Sequence, residues 1–238
     1  MDITIYPIEL IMESAKRSVE KKNPLRLKMI YDRYSDLASN PFKMKYDNNY
    51  SFWLISPYFR HSELLDFSQA SKKTAEEFFY TYIGKSNERI AVLFNHIEND
   101  GIKIKKDFSP ESLIFLWDWA RKKITKRKLS SNEICEKELD YAPWFRNADY
   151  IPKTVISEFS CQLLIDLSYY YAEVLLKNYK NAQWSYFTNN KSYIDVNRPT
   201  ISVGKHRIMP QCVTFEITTN LDDRNALYDA FIQVKKFI

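Results

Sequence analysis

Apolar residues keep helical spacing over most of the chain and switch to short alternating runs near its end. Ile8, Ile11, Met12, Ala15 and Val19 fall at i, i+3, i+4, i+7 and i+11, one face of an amphipathic helix. Asn23-Pro24 offers a cap and a first-turn proline for a second short helix through Leu37. Residues 46–59, with Pro41 before them and Pro57 near their end, have no helical stripe and read as a loop or short strand. Helical spacing returns in residues 62–82 and 87–99, where Ser86 is placed to cap the start and Gly101 to follow the end.

Ser109, Pro110 and Glu111 are the clearest start signal: a capping hydroxyl, a proline for the first turn and an acid at the positive end of the dipole. Leu113, Leu116, Trp117, Ala120 and Ile124 then repeat at helical spacing. The predicted helix carries Arg121-Lys122-Lys123 and then Lys126-Arg127-Lys128 in its last turns. It leads into a polar stretch, 129–140, that lacks a stripe and reads as a mobile connection. Residues 141–151, with Trp144 and Phe145 between Pro143 and Pro152, read as an aromatic linker that packs.

Residues 154–178 predict a long helix with apolar positions on more than one face, including Phe159, Leu163, Leu167, Tyr170 and Val174, hence central and buried. Short β-like runs follow at 183–188, 193–196, 200–203 and 212–218, with Asn189-Asn190 and Gly204-Lys205 as turns. Asn220 and Asp223 resemble a cap before Leu227, Ala230, Phe231 and Val234 on one helical face. The order predicts an α+β protein. Residues 1–150 form a mainly helical region, and 151–238 supply the long central helix, a small antiparallel sheet and a C-terminal helix, all packed as one globular unit.

Composition narrows the chemistry. The chain of 238 residues is 45% hydrophobic and 16% aromatic, enough to bury a core. Its three glycines (Gly84, Gly101, Gly204) stand far apart, which excludes the glycine-clustered phosphate cradles and the G-x-S-x-G nucleophile elbow. Three dispersed cysteines (Cys135, Cys161, Cys212) and three histidines (His61, His96, His206) suit neither a structural zinc site nor a disulfide framework. No cofactor or metal is expected. With an acidic residue at position 2, and Asp166 and Glu173 inside the most apolar stretch, neither a signal peptide nor a membrane span is predicted, and a cytoplasmic location is the expectation.

Charge is where the sequence becomes specific. The net +5 looks diffuse, yet between Gly101 and Lys128 nine cations face three anions, so this stretch carries +6 and the rest of the chain −1. Trp119, Arg121, Lys122, Lys123, Lys126, Arg127 and Lys128 are therefore the candidate partner-binding residues, with an exposed Trp119 as an interface anchor. The same cations also complement a helix C-terminus, and Glu133, Glu136, Glu138 and Asp140 stand close enough in sequence to neutralise them. A second candidate is a cleft at Asp166, Tyr170 and Glu173, two acids seven apart on the long helix among tyrosines, the residue types a hydrolase needs; the ordinary alternative is the helix's solvated face.

Two segments resemble a group of small bacterial proteins, some encoded beside polymorphic toxins and regarded as their immunity proteins. One runs Gly101-Ile102-Lys103-Ile104, Asp107-Phe108-Ser109-Pro110-Glu111-Ser112-Leu113 and Leu116-Trp117; the other is Tyr171-Ala172-Glu173-Val174-Leu175 with Trp184 and Arg198-Pro199. Ala172 stands where such sequences often carry glycine, and a +5 chain departs from the acidic character common among inhibitors that mimic nucleic acid. The resemblance implies a non-enzymatic α+β protein that binds a protein partner. An acidic protein partner, a nucleic acid held by residues 121–128, and a hydrolytic cleft are the three functional expectations.

Overall fold

The computed structural model describes residues 67, 70–131, 134, 153–189, 193 and 195–237. The readings made for residues 8–19, 23–37, 46–59 and 141–151, for His61 and Cys135, and for the four acids after residue 132 lie outside them. Among the described residues six α-helices and five short strands make an α+β fold: α1 Lys72–Gly84, α2 Ser86–Asn99, α3 Ser112–Ala120, β1 Lys126–Lys128, β2 Thr154–Ile156, α4 Glu158–Asn178, β3 Gln183–Ser185, β4 Thr200–Val203, β5 His206–Ile208, α5 Pro210–Glu216 and α6 Ala226–Val234.

Helix α4 is the axis. Leu163 to Ala172 are all buried, so the helix is covered on every side, as apolar residues on several faces require. One apolar core runs from Phe67 through α2, α3 and α4 to Val234, drawing on both sides of residue 150. Helices α2 and α4 run antiparallel, since Ser86 meets Glu173 at one end of the seam and His96 meets Phe159 at the other.

Several boundaries differ from expectation for local reasons. The predicted long helix starts later, because Thr154 to Ile156 pair as β2 with β1, and Ser157 caps α4 by accepting from the Ser160 N–H at 3.3 Å. Ser86 does not cap α2; its hydroxyl donates to Glu173 instead. Helix α3 ends at Ala120, so Lys126-Arg127-Lys128 lie on a strand and not on the last turn of a helix. Ser109 does serve the start of α3: its Oγ accepts from the Ser112 N–H at 3.3 Å.

The region predicted as four β-runs is mixed. Residues 200–203 form β4 between β3 and β5, and Gly204, at φ +60°, takes the first central place of the two-residue turn, where a II′ hairpin needs a left-handed residue. Residues 212–218 are helical: Pro210 fixes the first turn, and Gln211, Thr214 and Phe215 form the buried face, with the Thr214 hydroxyl donating to the Leu164 carbonyl. The β-branched residues there are overridden by packing on α4. Asn220 and Asp223 make local turns instead of capping α6; their carboxamide and carboxylate oxygens accept from Asp222 and Asn225.

Candidate functional site

The predicted basic surface sits where α3 ends, at the corner that leads through residues 121–125 into β1. Trp119 is buried (5% exposed) because its indole N–H donates to Asp100 Oδ2 at 2.6 Å. The same carboxylate pairs with Lys123 Nζ at 2.6 Å, and that ammonium also stands 5.7 Å from the Trp119 ring centre. These two bonds, the lysine's first, hold the Asp100 carboxyl below its usual range. Trp119 is thus an internal strut between α2 and α3 and not the exposed anchor expected from its position two residues after Trp117. Trp117 is also inside, donating from its indole to the Asp223 carbonyl at 2.8 Å.

Asp118 gathers two more cations. Arg121 reaches it at 2.7 Å and Lys122 at 2.8 Å, which pull its carboxyl down to about 2, Lys122 having the larger effect. Arg121 also donates to the Leu221 carbonyl and so ties the corner to the segment before α6. Of the first cationic triplet only Lys122, its side chain 62% exposed, keeps most of its surface in water. Sequence reasoning gave neutralisation to the acids after residue 132, whereas Asp118 lies three and four positions before Arg121 and Lys122, a spacing that already marks it as their partner.

The second triplet behaves differently. Lys126, Arg127 and Lys128 are exposed at every position of β1, and this strand pairs with β2 in the register Lys126↔Ile156, Arg127↔Val155 and Lys128↔Thr154. Lys126 and Lys128 make no ion pair among the described residues, and side-chain alternation puts them on the same side of the ribbon. The ribbon is fixed to α4 by Thr125, whose N–H donates to Ser160 Oγ at 2.8 Å. Phe115, 58% exposed, stands seven positions before Lys122 and so on the same outward line of α3 and its following turn.

The acidic candidate is placed elsewhere. Asp166 is 1% exposed and accepts from Arg89 Nε at 2.5 Å across the α2–α4 seam. Burial pushes its carboxyl up to about 7 against the pull of Arg89. Glu173 accepts from Ser86, and Tyr170 shares a hydrogen bond with Ser112 at 2.8 Å while accepting from the Phe108 N–H. Asp166 and Tyr170 are buried and Glu173 is half-buried, so the three do not make a solvated face; a cleft of about 350 Å³ among the described residues lies elsewhere, between Tyr179–Asn181 and Val203–His206. Arg89, missed in the sequence, has no local signal, because its partner is 77 residues away.

Cys161 is buried, and burial pushes its thiol up to about 12, away from nucleophilic character. Among the described residues no group of three or more His, Cys, Asp or Glu is placed to hold a metal, and no helix is long and apolar enough to cross a membrane. Comparison of the chain with family models, with curated proteins and with solved structures finds no match.

Proposed function

We propose that the chain is a non-enzymatic protein-binding protein, of the bacterial immunity type its sequence resembles, that receives an acidic protein surface on the β1–β2 ribbon. The observation carrying this reading is the pair Lys126 and Lys128: two exposed cations on one side of a strand, with no ion pair among the described residues. Lys122 and Phe115 add a further charge and an aromatic ring at the neighbouring corner. Arg121 and Lys123 belong to the scaffold, since Asp118 and Asp100 hold them. Supporting the non-enzymatic part, Asp166, Glu173 and Cys161 are each engaged in packing or internal bonds.

Affinity capture from the native host, with the full chain and with Lys122→Glu, Lys126→Glu and Lys128→Glu combined, tests the reading. A partner recovered by the parent and lost by about tenfold or more in the variant, at unchanged circular dichroism, is the expected result. That ratio corresponds to about 1.4 kcal/mol of binding. Undiminished recovery overturns the assignment of the surface. The same exposed lysines also suit phosphate, so duplex DNA binding that falls steeply between low and moderate salt would transfer the surface to a nucleic acid.

A further inference from the structure

Between α2 and α3 the chain runs through residues 102–106 with no helix, turn, bend or ladder pairing. The Ile102 N–H closes α2 on the Ile97 carbonyl at 3.2 Å, and Gly101, at φ +73°, does the same to Glu98 at 2.9 Å, the paired bonds of a Schellman stop. Beyond Ile102, the backbone N–H and C=O groups of Lys103, Ile104, Lys105 and Lys106 make no hydrogen bond among the described residues.

The far end is clamped as firmly. Phe108 holds φ +57°, a left-handed conformation that a bulky side chain adopts only when its surroundings impose it. Those surroundings are visible. Its N–H donates to Tyr170 Oη at 3.1 Å, its carbonyl accepts from Asn178 Nδ2 at 2.9 Å, its ring stacks on Tyr170, and Lys177 Nζ lies 3.3 Å from the ring centre. Ile104 packs against the core and Lys106 stands over Phe94, so the segment is laid down on α2 with exposed lysines along it.

We propose that residues 102–106 are a preformed edge strand that takes an extended acidic segment of a protein partner by backbone pairing. An exposed row of unpaired N–H and C=O groups is a template for an added strand. The two left-handed clamps hold it in place beforehand, which removes much of the ordering cost of binding. Lys105 pairs with Asp107 at 3.2 Å at the surface, and Lys103 and Lys106, with no ion pair among the described residues, leave the segment a net positive charge that repels a second copy of the same strand and favours acidic side chains opposite. The proposal rests on the protein-binding reading and adds a second, separate contact surface to it.

The test titrates the full chain, labelled for NMR, with a synthetic peptide of alternating valine and glutamate. A matched peptide N-methylated at every second amide serves as control. Shifts centred on residues 101–108, amide exchange at 103–106 slowed by about tenfold or more, and loss of both with the N-methylated peptide are expected. Lys103→Glu with Lys105→Glu should weaken binding by at least about tenfold, the equivalent of 1.4 kcal/mol. Absence of binding overturns the proposal, as does self-association without peptide protection. Peptide shifts confined to residues 122–128 overturn it as well, while leaving the protein-binding reading intact; failure of the host capture experiment strikes that reading instead.

Discussion

Asp166 with Arg89 and Asp118 with Lys122 are both carboxylates facing a cation at under 3 Å, yet they belong to different physical regimes. In the α2–α4 seam both partners have lost nearly all their water, so each needs the other, and the carboxyl still sits well above its usual range. At the α3 corner water screens the pair, and Asp118 is lowered because two cations reach it at little desolvation cost. Burial, not the identity of the charges, decides whether a pair is an obligatory part of the interior or a trim on the surface. The contrast also separates fold from function: cations held by buried or shared acids position helices, and those left in water are available to a partner.

The contrast is broken most forcefully at its buried end. Asp166→Ala leaves Arg89 uncompensated and is expected to cost about 3–5 kcal/mol in urea denaturation, whereas Arg89→Met with Asp166→Leu should recover most of that loss. If the single variant costs under about 1 kcal/mol, the seam is no different from the surface.

Proton linkage gives the next largest signal, and its sign is opposite for the two acids. Asp166 in the folded chain retains its proton up to about 7, while the unfolded chain releases it near 4. Its contribution is therefore fully present below about pH 4 and is lost as pH rises through 7, so the parent should lose stability relative to Asp166→Asn across that window. Asp118, lowered to about 2, contributes above pH 4 and loses its contribution as pH falls through 2. Denaturation of parent and variants across pH 2 to 8 reads both slopes, and parallel curves for parent and Asp166→Asn would contradict the buried assignment.

Trp119→Phe keeps an aromatic ring but removes the pyrrole part of the indole, deleting the bond to Asp100, a half-exposed partner still held by Lys123, and leaving a small void, and about 1–2 kcal/mol is expected. Lys122→Ala should change stability by less than about 1 kcal/mol in the same assay, since its partner also keeps Arg121. A larger effect for lysine than for tryptophan would invert the comparison.

How far the sequence was legible follows the same division. Positions fixed by local rules came through: the turn at Ser109 that leads into α3, the stop at Gly101, the buried length of α4 and the hairpin turn at Gly204 are each set by residues within one or two turns, although α3 itself begins three residues later, at Ser112. Residues whose state depends on a distant partner did not. Thr154 to Ile156 look helical until β1 is opposite them, and 212–218 look like a strand until Thr214 meets α4. Among site residues, Lys122 and Lys126 to Lys128 were legible as exposed cations. The inward turn of Trp119 depends on Asp100, and the burial of Asp166 depends on Arg89, and neither partner is marked by spacing.

Asn197 shows what such distant partners mean for the order of events. This left-handed residue, just before β4, donates from its side-chain nitrogen to the carbonyls of Phe67 at 2.7 Å and Ala70 at 3.3 Å, about 130 positions earlier and at the entry to α1. Trp117 likewise waits for Asp223. During synthesis, the residues entering α1 and those of α3 emerge long before Asn197 and Asp223, the groups that complete their hydrogen bonds. Long sequence separation between contacting residues slows folding. The early helices thus take their final contacts from residues on either side of β4, β5 and α5, Asn197 before them and Asp223 after.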